Sequence, residues 1–223
     1  MLVLAFDTAT PAVTAALHDG DRVLAESTTV DARRHGELLV PTIEKVLAEA
    51  RVRLRDVTAI VAGTGPGPYT GLRVGLMTAQ GLGTALGLAE VYGVCTLDAL
   101  AYGTRRDEPF LVVTDARRKE LFWARYDDAR TRAEGPFVDK PADIPRDGLP
   151  VAGADLYPEV LGAAVAPPYP LAGFVAALAA ERIAAGQPLD EPRPIYLRRP
   201  DAVEPKAPKK VTDREPRRTR ERA

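Results

Sequence analysis

The chain has 223 residues, 46% hydrophobic and 27% charged, a composition that fits one large domain or two small ones with a core of their own. Its 30 basic and 31 acidic side chains leave a formal net charge of −1, which excludes a whole-chain attraction to nucleic acid or to a membrane surface. The single cysteine, Cys95, excludes an internal disulfide; it lies in the apolar run 91–97, where a buried thiol is expected.

The opening Met1-Leu2-Val3-Leu4-Ala5-Phe6-Asp7 has no basic flank and meets a charge too early for a signal peptide. No uncharged apolar stretch reaches the roughly 18 residues needed to cross a bilayer, so a cytoplasmic protein is expected. Residues 2–9, 13–18 and 23–30 read as three strands, the last two joined by the turn signal Asp19-Gly20-Asp21. Leu39, Ile43, Val46, Leu47 and Ala50 then fall at helical spacing and predict a helix over 37–51, with Pro41 in its first turn. A short apolar strand at 59–63, a Gly65-Pro66-Gly67-Pro68 loop, a helix over 70–86 and a strand over 91–97 complete a βββαβαβ order.

After a charged linker at 103–108 the pattern restarts. Residues 110–114 and 121–126 predict a hairpin around Asp115-Ala116-Arg117-Arg118-Lys119-Glu120, followed by an apolar segment at 151–154 and an amphipathic helix over 171–185 ended by Gly186. A strand ending in aspartate, a turn and a strand occur at Asp7 and again at Asp115. This is the plan of an α/β, duplicated ribonuclease-H-like fold of the actin and sugar-kinase type with a reduced second domain. The expected boundaries are 1–103, 104–199 and a tail, 200–223. The tail holds eight basic and five acidic side chains and almost nothing apolar, so disorder is expected there.

The segment 63–73 is the most distinctive. A glycine loop that opens a helix can cradle phosphate, because free N–H groups and the helix dipole point at the anion. Two prolines remove two donors, and the segment fits neither the Walker nor the dinucleotide pattern. A rigid turn with Thr70 as helix cap is the first reading and a phosphate site the second. Asp7, Gly65 and Gly67 are therefore the candidate ligand-binding residues. Asp7 is followed by Thr8-Ala9-Thr10 and Asp115 by Ala116-Arg117-Arg118, where a phosphate loop would need glycine, so a buried hydrogen-bonding role is the competing reading for Asp7.

In the helix that follows, Gly71, Gly75, Ala79, Gly83 and Gly87 recur every four residues. Interior Gly75, Gly81 and Gly83 each cost about 1 kcal/mol of helix propensity relative to alanine. Something must press closely on that stripe, either the protein's own sheet or first helix, or a helix of another subunit. Only two histidines, His18 and His35, are present, with no His-x-x-x-His or Cys-x-x-Cys spacing; no transition-metal site and no catalytic residue is expected.

Five segments in order resemble the TsaB (YeaZ) family. They are Leu4-Ala5-Phe6-Asp7-Thr8-Ala9-Thr10; His35-Gly36-Glu37-Leu38-Leu39-Val40-Pro41; the glycine signature from Gly65 to Gly75; Asp115 to Glu120; and Pro194-Ile195-Tyr196-Leu197-Arg198. The resemblance covers residues 2–200. The chain departs from the family pattern at Gly36 (serine in the family) and at Pro68-Tyr69 (Ser-Phe). The resemblance implies a non-catalytic paralogue of TsaD, the subunit that transfers threonylcarbamoyl to N6 of the adenosine 3′ of the anticodon in tRNAs reading codons that begin with A. TsaD carries a metal-binding His-x-x-x-His that this chain lacks.

It further implies a heterodimer with TsaD through the N-terminal domain, joined by the ATPase TsaE, a homodimer through a similar face, and tRNA engaged through the complex. No cofactor is implied for this chain alone; ATP belongs to the complex, with a nucleotide at its interface. The helices 37–51 and 70–86 are the expected partner face, with Leu38, Pro41, Gly71, Gly75, Ala79 and Gly83 as its residues. Two other classes remain: an actin-like ATP-dependent kinase or phosphotransferase, and a tRNA-binding module working through the basic tail.

Overall fold

β1 (Val3–Asp7), β2 (Ala12–His18) and β3 (Val23–Val30) form an antiparallel meander, in a computed structural model that describes residues 1–88 and 91–198. α1 (His35–Ala50) leads to β4 (Ala59–Gly63), which runs parallel to β1. α2 (Tyr69–Leu86) leads to β5 (Val91–Val94), parallel to β4. The strand order is β3-β2-β1-β4-β5.

α3 (Thr96–Thr104) then carries the chain to β6 (Phe110–Asp115), β7 (Leu121–Tyr126), β8 (Arg132–Asp139), β9 (Val151–Gly153), α4 (Pro158–Leu161) and β10 (Ala164–Val165), whose sheet has the order β10-β9-β6-β7-β8. In both sheets the first strand pairs antiparallel with the second and parallel with the fourth. The same plan built twice is the duplicated ribonuclease-H-like fold of the α/β class. The second copy is reduced: a one-turn 3-10 helix (Pro141–Asp143) and the four-residue α4 stand where the first copy has α1 and α2. α5 (Ala172–Ala184) closes the described fold.

The two-residue period of a strand explains the layers. Leu4 and Phe6 of β1 face a core made with Leu39, Ile43 and Val46 of α1 and Leu76 and Ala79 of α2. Val3 and Ala5 face the opposite core, with Ala99 of α3 and Val175, Leu178 and Ala179 of α5. α5 thus returns across residue 103 to cover the first sheet, and that sheet caps it: Thr14 Oγ1 and Glu26 Oε1 accept the backbone N–H groups of Ala172 (2.9 Å) and Gly173 (2.6 Å). Leu97, Leu100 and Ala101 of α3 pack on the other side against Phe110, Val112 and Tyr126 of the second sheet.

Several boundaries differ from the sequence expectation. The strand expected over 91–97 stops at Val94, and Thr96 opens α3, a helix buried between two sheets. A helix buried on both sides carries no polar stripe and gives no 3.6-residue signal. β8 has no counterpart in the sequence expectation because it is an edge strand without a buried face and contains Gly135-Pro136, which only an edge tolerates. α1 begins at His35, so Pro41 lies in its second turn on the exposed side rather than in its first. α2 begins at Tyr69 behind Pro68, and no side chain caps it, so Thr70 is not its cap. The tail expected to be disordered lies outside the described residues. No helix among the described residues is long and apolar enough to cross a membrane.

α1 ends on Arg51 at φ 56°, a left-handed position that favours glycine. Replacing Arg51 by glycine should relieve about 1 kcal/mol of backbone strain and raise Tm by a few degrees in a thermal melt.

Candidate functional site

Asp7 ends β1 and is wholly buried. Its carboxylate accepts the backbone N–H of Ala9 (2.7 Å) and the hydroxyl of Thr96 (2.6 Å), the first residue of α3. Beside it lies Gly63 at the end of β4; a Cβ there would stand 1.8 Å from Asp7 Oδ2. Burial pushes the carboxyl up to about 6, opposed by the hydrogen bonds from Thr96 and Ala9 and by the charge of His35.

The glycine loop is built into the same knot. Thr64 N–H donates to Val94 O (2.9 Å), Gly65 N–H donates to Thr96 Oγ1 (3.0 Å), and Gly65 O accepts Thr96 N–H (2.8 Å) and the Cys95 thiol (3.3 Å). A Cβ on Gly67 would meet Ala9 O at 2.2 Å. The donors that a phosphate would need at Thr64 and Gly65 are already used, and the space at Gly67 is filled by the loop after β1. Cys95 itself is fully buried, with its thiol pushed up to about 12, mainly by burial, which leaves it unreactive.

The glycine stripe of α2 faces this knot and not a partner. A Cβ on Gly71 would meet Thr8 O at 2.3 Å, one on Gly75 would meet Thr8 Oγ1 at 2.6 Å, and one on Gly83 would meet Val91 Cγ2 at 2.3 Å. Thr8 Oγ1 also donates to Gly71 O (2.7 Å), and Ala79 is fully buried. Gly71, Gly75, Ala79 and Gly83 are therefore corrected from partner face to internal packing: the bare stripe lets α2 lie directly on the loop after β1 and on β5. Leu38 is partly buried against the core and Pro41 is exposed, so these two alone of the six remain on the outer side. That side also carries Val40 (50% exposed), Met77 (57% exposed) and Gly81, whose added Cβ would meet nothing within 4 Å.

The second aspartate turn is closed in its own way. Asp115 Oδ1 accepts Arg117 N–H (2.7 Å), its other oxygen pairs with the Arg117 guanidinium (3.2 Å), and Arg117, Arg118 and Lys119 all hold positive φ (61°, 57° and 61°). A closing strap crosses from the first sheet to this turn. Asp190 O accepts Gly93 N–H, Ile195 N–H donates to Thr64 O (2.8 Å), Tyr196 stacks on Tyr69 (4.4 Å between rings), and Arg198 donates to Ala116 O (2.7 Å) and pairs with Glu120. Between turn and helices lies a cleft of about 410 Å³ lined by Thr10, Arg33, His35, Thr70 and Arg117, among others. Among the described residues, no group of three His, Cys, Asp or Glu side chains is placed to hold a metal ion.

Solved structures share this architecture. YeaZ from Pseudomonas aeruginosa superposes with a TM-score of 0.75 at 32% identity, over 88% of this chain and 99% of that one. A family model described as TsaD, tRNA N6-adenosine threonylcarbamoyltransferase, matches residues 22–202. The chain belongs to the TsaB (YeaZ) family. An uncharacterised protein of Mycobacterium tuberculosis is 48% identical over 90% of this chain and 93% of its own length. The Escherichia coli protein named tRNA threonylcarbamoyladenosine biosynthesis protein TsaB is 36% identical over 129 residues, 56% of this chain and 55% of that protein.

Of the candidate residues, Asp7, Gly65 and Gly67 do converge in this TsaB-family chain, but through the backbone of Ala9 and through Thr96. Thr96 was missed by sequence reasoning: it lies 89 residues from Asp7, inside a segment that read as strand. Two outcomes follow. A buried carboxyl raised from 3.8 to about 6 binds a proton more readily folded than unfolded, so its contribution is fully present below about pH 4 and is lost as pH rises through 6. Asp7→Asn should flatten the fall of Tm between pH 4 and 7, removing on the order of 3 kcal/mol of pH dependence. Gly83→Leu should overpack the contact with Val91 and cost ~1–3 kcal/mol in a denaturant melt.

Proposed function

We propose that the chain is a non-catalytic subunit in the cytoplasmic synthesis of threonylcarbamoyladenosine in tRNA, pairing with a TsaD-type catalytic paralogue. The observation that carries this is the closure of both aspartate turns. In each, the carboxylate and the neighbouring N–H groups are spent on the chain's own backbone and side chains. Such a scaffold has little left with which to hold a nucleotide phosphate or a metal by itself. The names of the relatives supply the pathway.

The pairing surface in this reading is the outer side of α1 and α2. Val40, Pro41 and Met77 put apolar atoms in solvent, and exposed Gly81 lets another backbone come close where the inward glycines cannot. In the absence of TsaD a second copy of this chain takes the same face. TsaE joins the pair, ATP is consumed by the complex, and tRNA is engaged by the assembly rather than by this chain's closed turns.

The test is co-elution of the full chain with its cognate TsaD-type protein. Gly81→Leu and Met77→Glu should each leave Tm within about 2 °C of the parent and abolish co-elution. Gly83→Leu should lower Tm and spare co-elution. Full pairing by both outer-face variants would remove the surface assignment. Steady ATP turnover by the isolated chain, lost in a folded Asp7→Ala variant, would replace the whole reading with a kinase or phosphotransferase.

A further inference from the structure

The rim of the 410 Å³ cleft is not used by the function proposed above. Two cations from distant parts of the chain line it, and two more, Arg73 and Lys119, each follow a lining residue (Gly71 and Arg117) by two positions. Arg33 precedes α1, Arg73 lies on α2, and Arg117 and Lys119 belong to the second aspartate turn. Arg33 and Arg117 line the cleft, and no carboxylate lines it among the described residues. Of the nearby acids, Asp31 pairs with Arg34 (2.8 Å), Asp115 with Arg117 (3.2 Å) and Glu120 with Arg198, while Glu37 in the first turn of α1 is exposed outside the lining. Arg33 and Lys119 make no ion pair among the described residues and are exposed. Of these four, the cations without an ion pair among the described residues are therefore Arg33, Arg73 and Lys119, Arg117 being shared with Asp115.

An aromatic platform borders the same cleft. Tyr69 sits between two residues that line it, Pro68 and Thr70. Tyr196 stacks on Tyr69 with rings 14° from parallel, and the Arg73 guanidinium lies 4.1 Å from the Tyr69 ring centre. Both tyrosines remain about 40% exposed (40% and 38%). Stacked aromatics beside unpaired cations, over a concave surface without acids, match the chemistry of a nucleic-acid strand. Phosphates want the cations, and an unpaired base wants a ring face, whatever its sequence.

We propose that this rim is an RNA-binding surface, with the phosphodiester backbone over the Arg33–Arg117 cleft and an unpaired base stacked on the Tyr69–Tyr196 pair. The inference deepens the reading above, whose pathway ends on a tRNA, by placing part of the RNA contact on this chain. Tyr69 and Arg73 begin the exposed row along α2 that continues through Met77 and Gly81, so the rim adjoins the partner face and one strand can run from it onto the paired subunit.

The test measures binding of an unmodified tRNA transcript and of a single-stranded oligoribonucleotide, by fluorescence anisotropy against salt. It uses the full chain alone and the full chain with its TsaD-type partner. Arg33→Glu with Lys119→Glu should weaken binding about tenfold or more and lower the slope of log affinity against log salt by about one for each phosphate no longer neutralised. Tyr196→Leu should weaken oligoribonucleotide binding about fivefold or more and leave the salt slope unchanged. Tm and co-elution should match the parent for both. Absence of RNA binding by either form, or unchanged affinity in the charge-reversal variant, would overturn the proposal and leave the pairing reading intact. Binding abolished only by truncation after residue 199 would overturn it in favour of the basic tail. Loss of co-elution in the charge-reversal variant would show a protein contact instead.

Discussion

A single buried carboxylate ties the molecule together. Asp7 stands at the end of the central strand of the first sheet and reaches Thr96, where the chain leaves that sheet for the second. With no solvent to share, the carboxylate needs its donors, and the hydroxyl of Thr96 and the N–H of Ala9 supply them. Everything near it is then constrained. Gly63 must lack a side chain, the loop after β1 must turn back on itself, and Thr96 must open a helix whose first residue also serves Gly65. The donors of this corner, Ala9 N–H, Gly65 N–H and the Thr96 hydroxyl, all meet acceptors of the chain itself.

The glycine stripe is the second half of that constraint. α2 gives up helix propensity at Gly75 and Gly83, and receives in return a close approach to Thr8 and Val91 that a Cβ would forbid. Sparse side chains on one face of a helix say only that something lies close. Which neighbour it is depends on where the helix is docked, and here β5 and the loop after β1 fill the groove. Inside α2 the glycine left facing solvent, Gly81, is off the four-residue repeat; Gly87, the repeat's last member, is the exposed left-handed cap beyond the helix.

That ambiguity marks the limit of what the sequence could tell. β3, β4 and β7 were legible to the residue because each is a short run bounded by turn signals or by a change of hydrophobic period. The repeated strand–aspartate–turn pattern carried the duplicated fold, since each copy must place the same turn beside its central strand. That Asp7 takes a buried hydrogen-bonding role could be read from the missing glycines after it. Its partner could not: Thr96 lies in an apolar run whose helical half is buried on both sides and so has no polar face to announce it. The Tyr69–Tyr196 stack was equally hidden, because a contact between residues 127 positions apart leaves no local pattern.

The burial of α3 has a mechanical consequence. Ala99 packs into the first sheet's core while Leu97, Leu100 and Ala101 pack into the second sheet's, so the two sheets share one helix, buried from Thr96 to Ala101. Asp98 of that helix, almost fully buried, accepts the Tyr126 hydroxyl of β7 (2.8 Å) and lies within 3.7 Å of Arg132 from β8 and Arg182 from α5. Burial raises its pKa and the two guanidinium groups oppose that rise. Swinging one sheet against the other would strip this carboxylate of its partners, and an unpaired buried charge is far more costly than the pair is worth. The strap from Asp190 to Arg198 spans the same joint from outside, anchored at Gly93, Thr64 and Ala116. A protein that opens and closes around a nucleotide needs a soft joint between its halves. This one has a helix, a buried ion cluster and a strap across it, which suits a rigid scaffold that presents its surfaces to others.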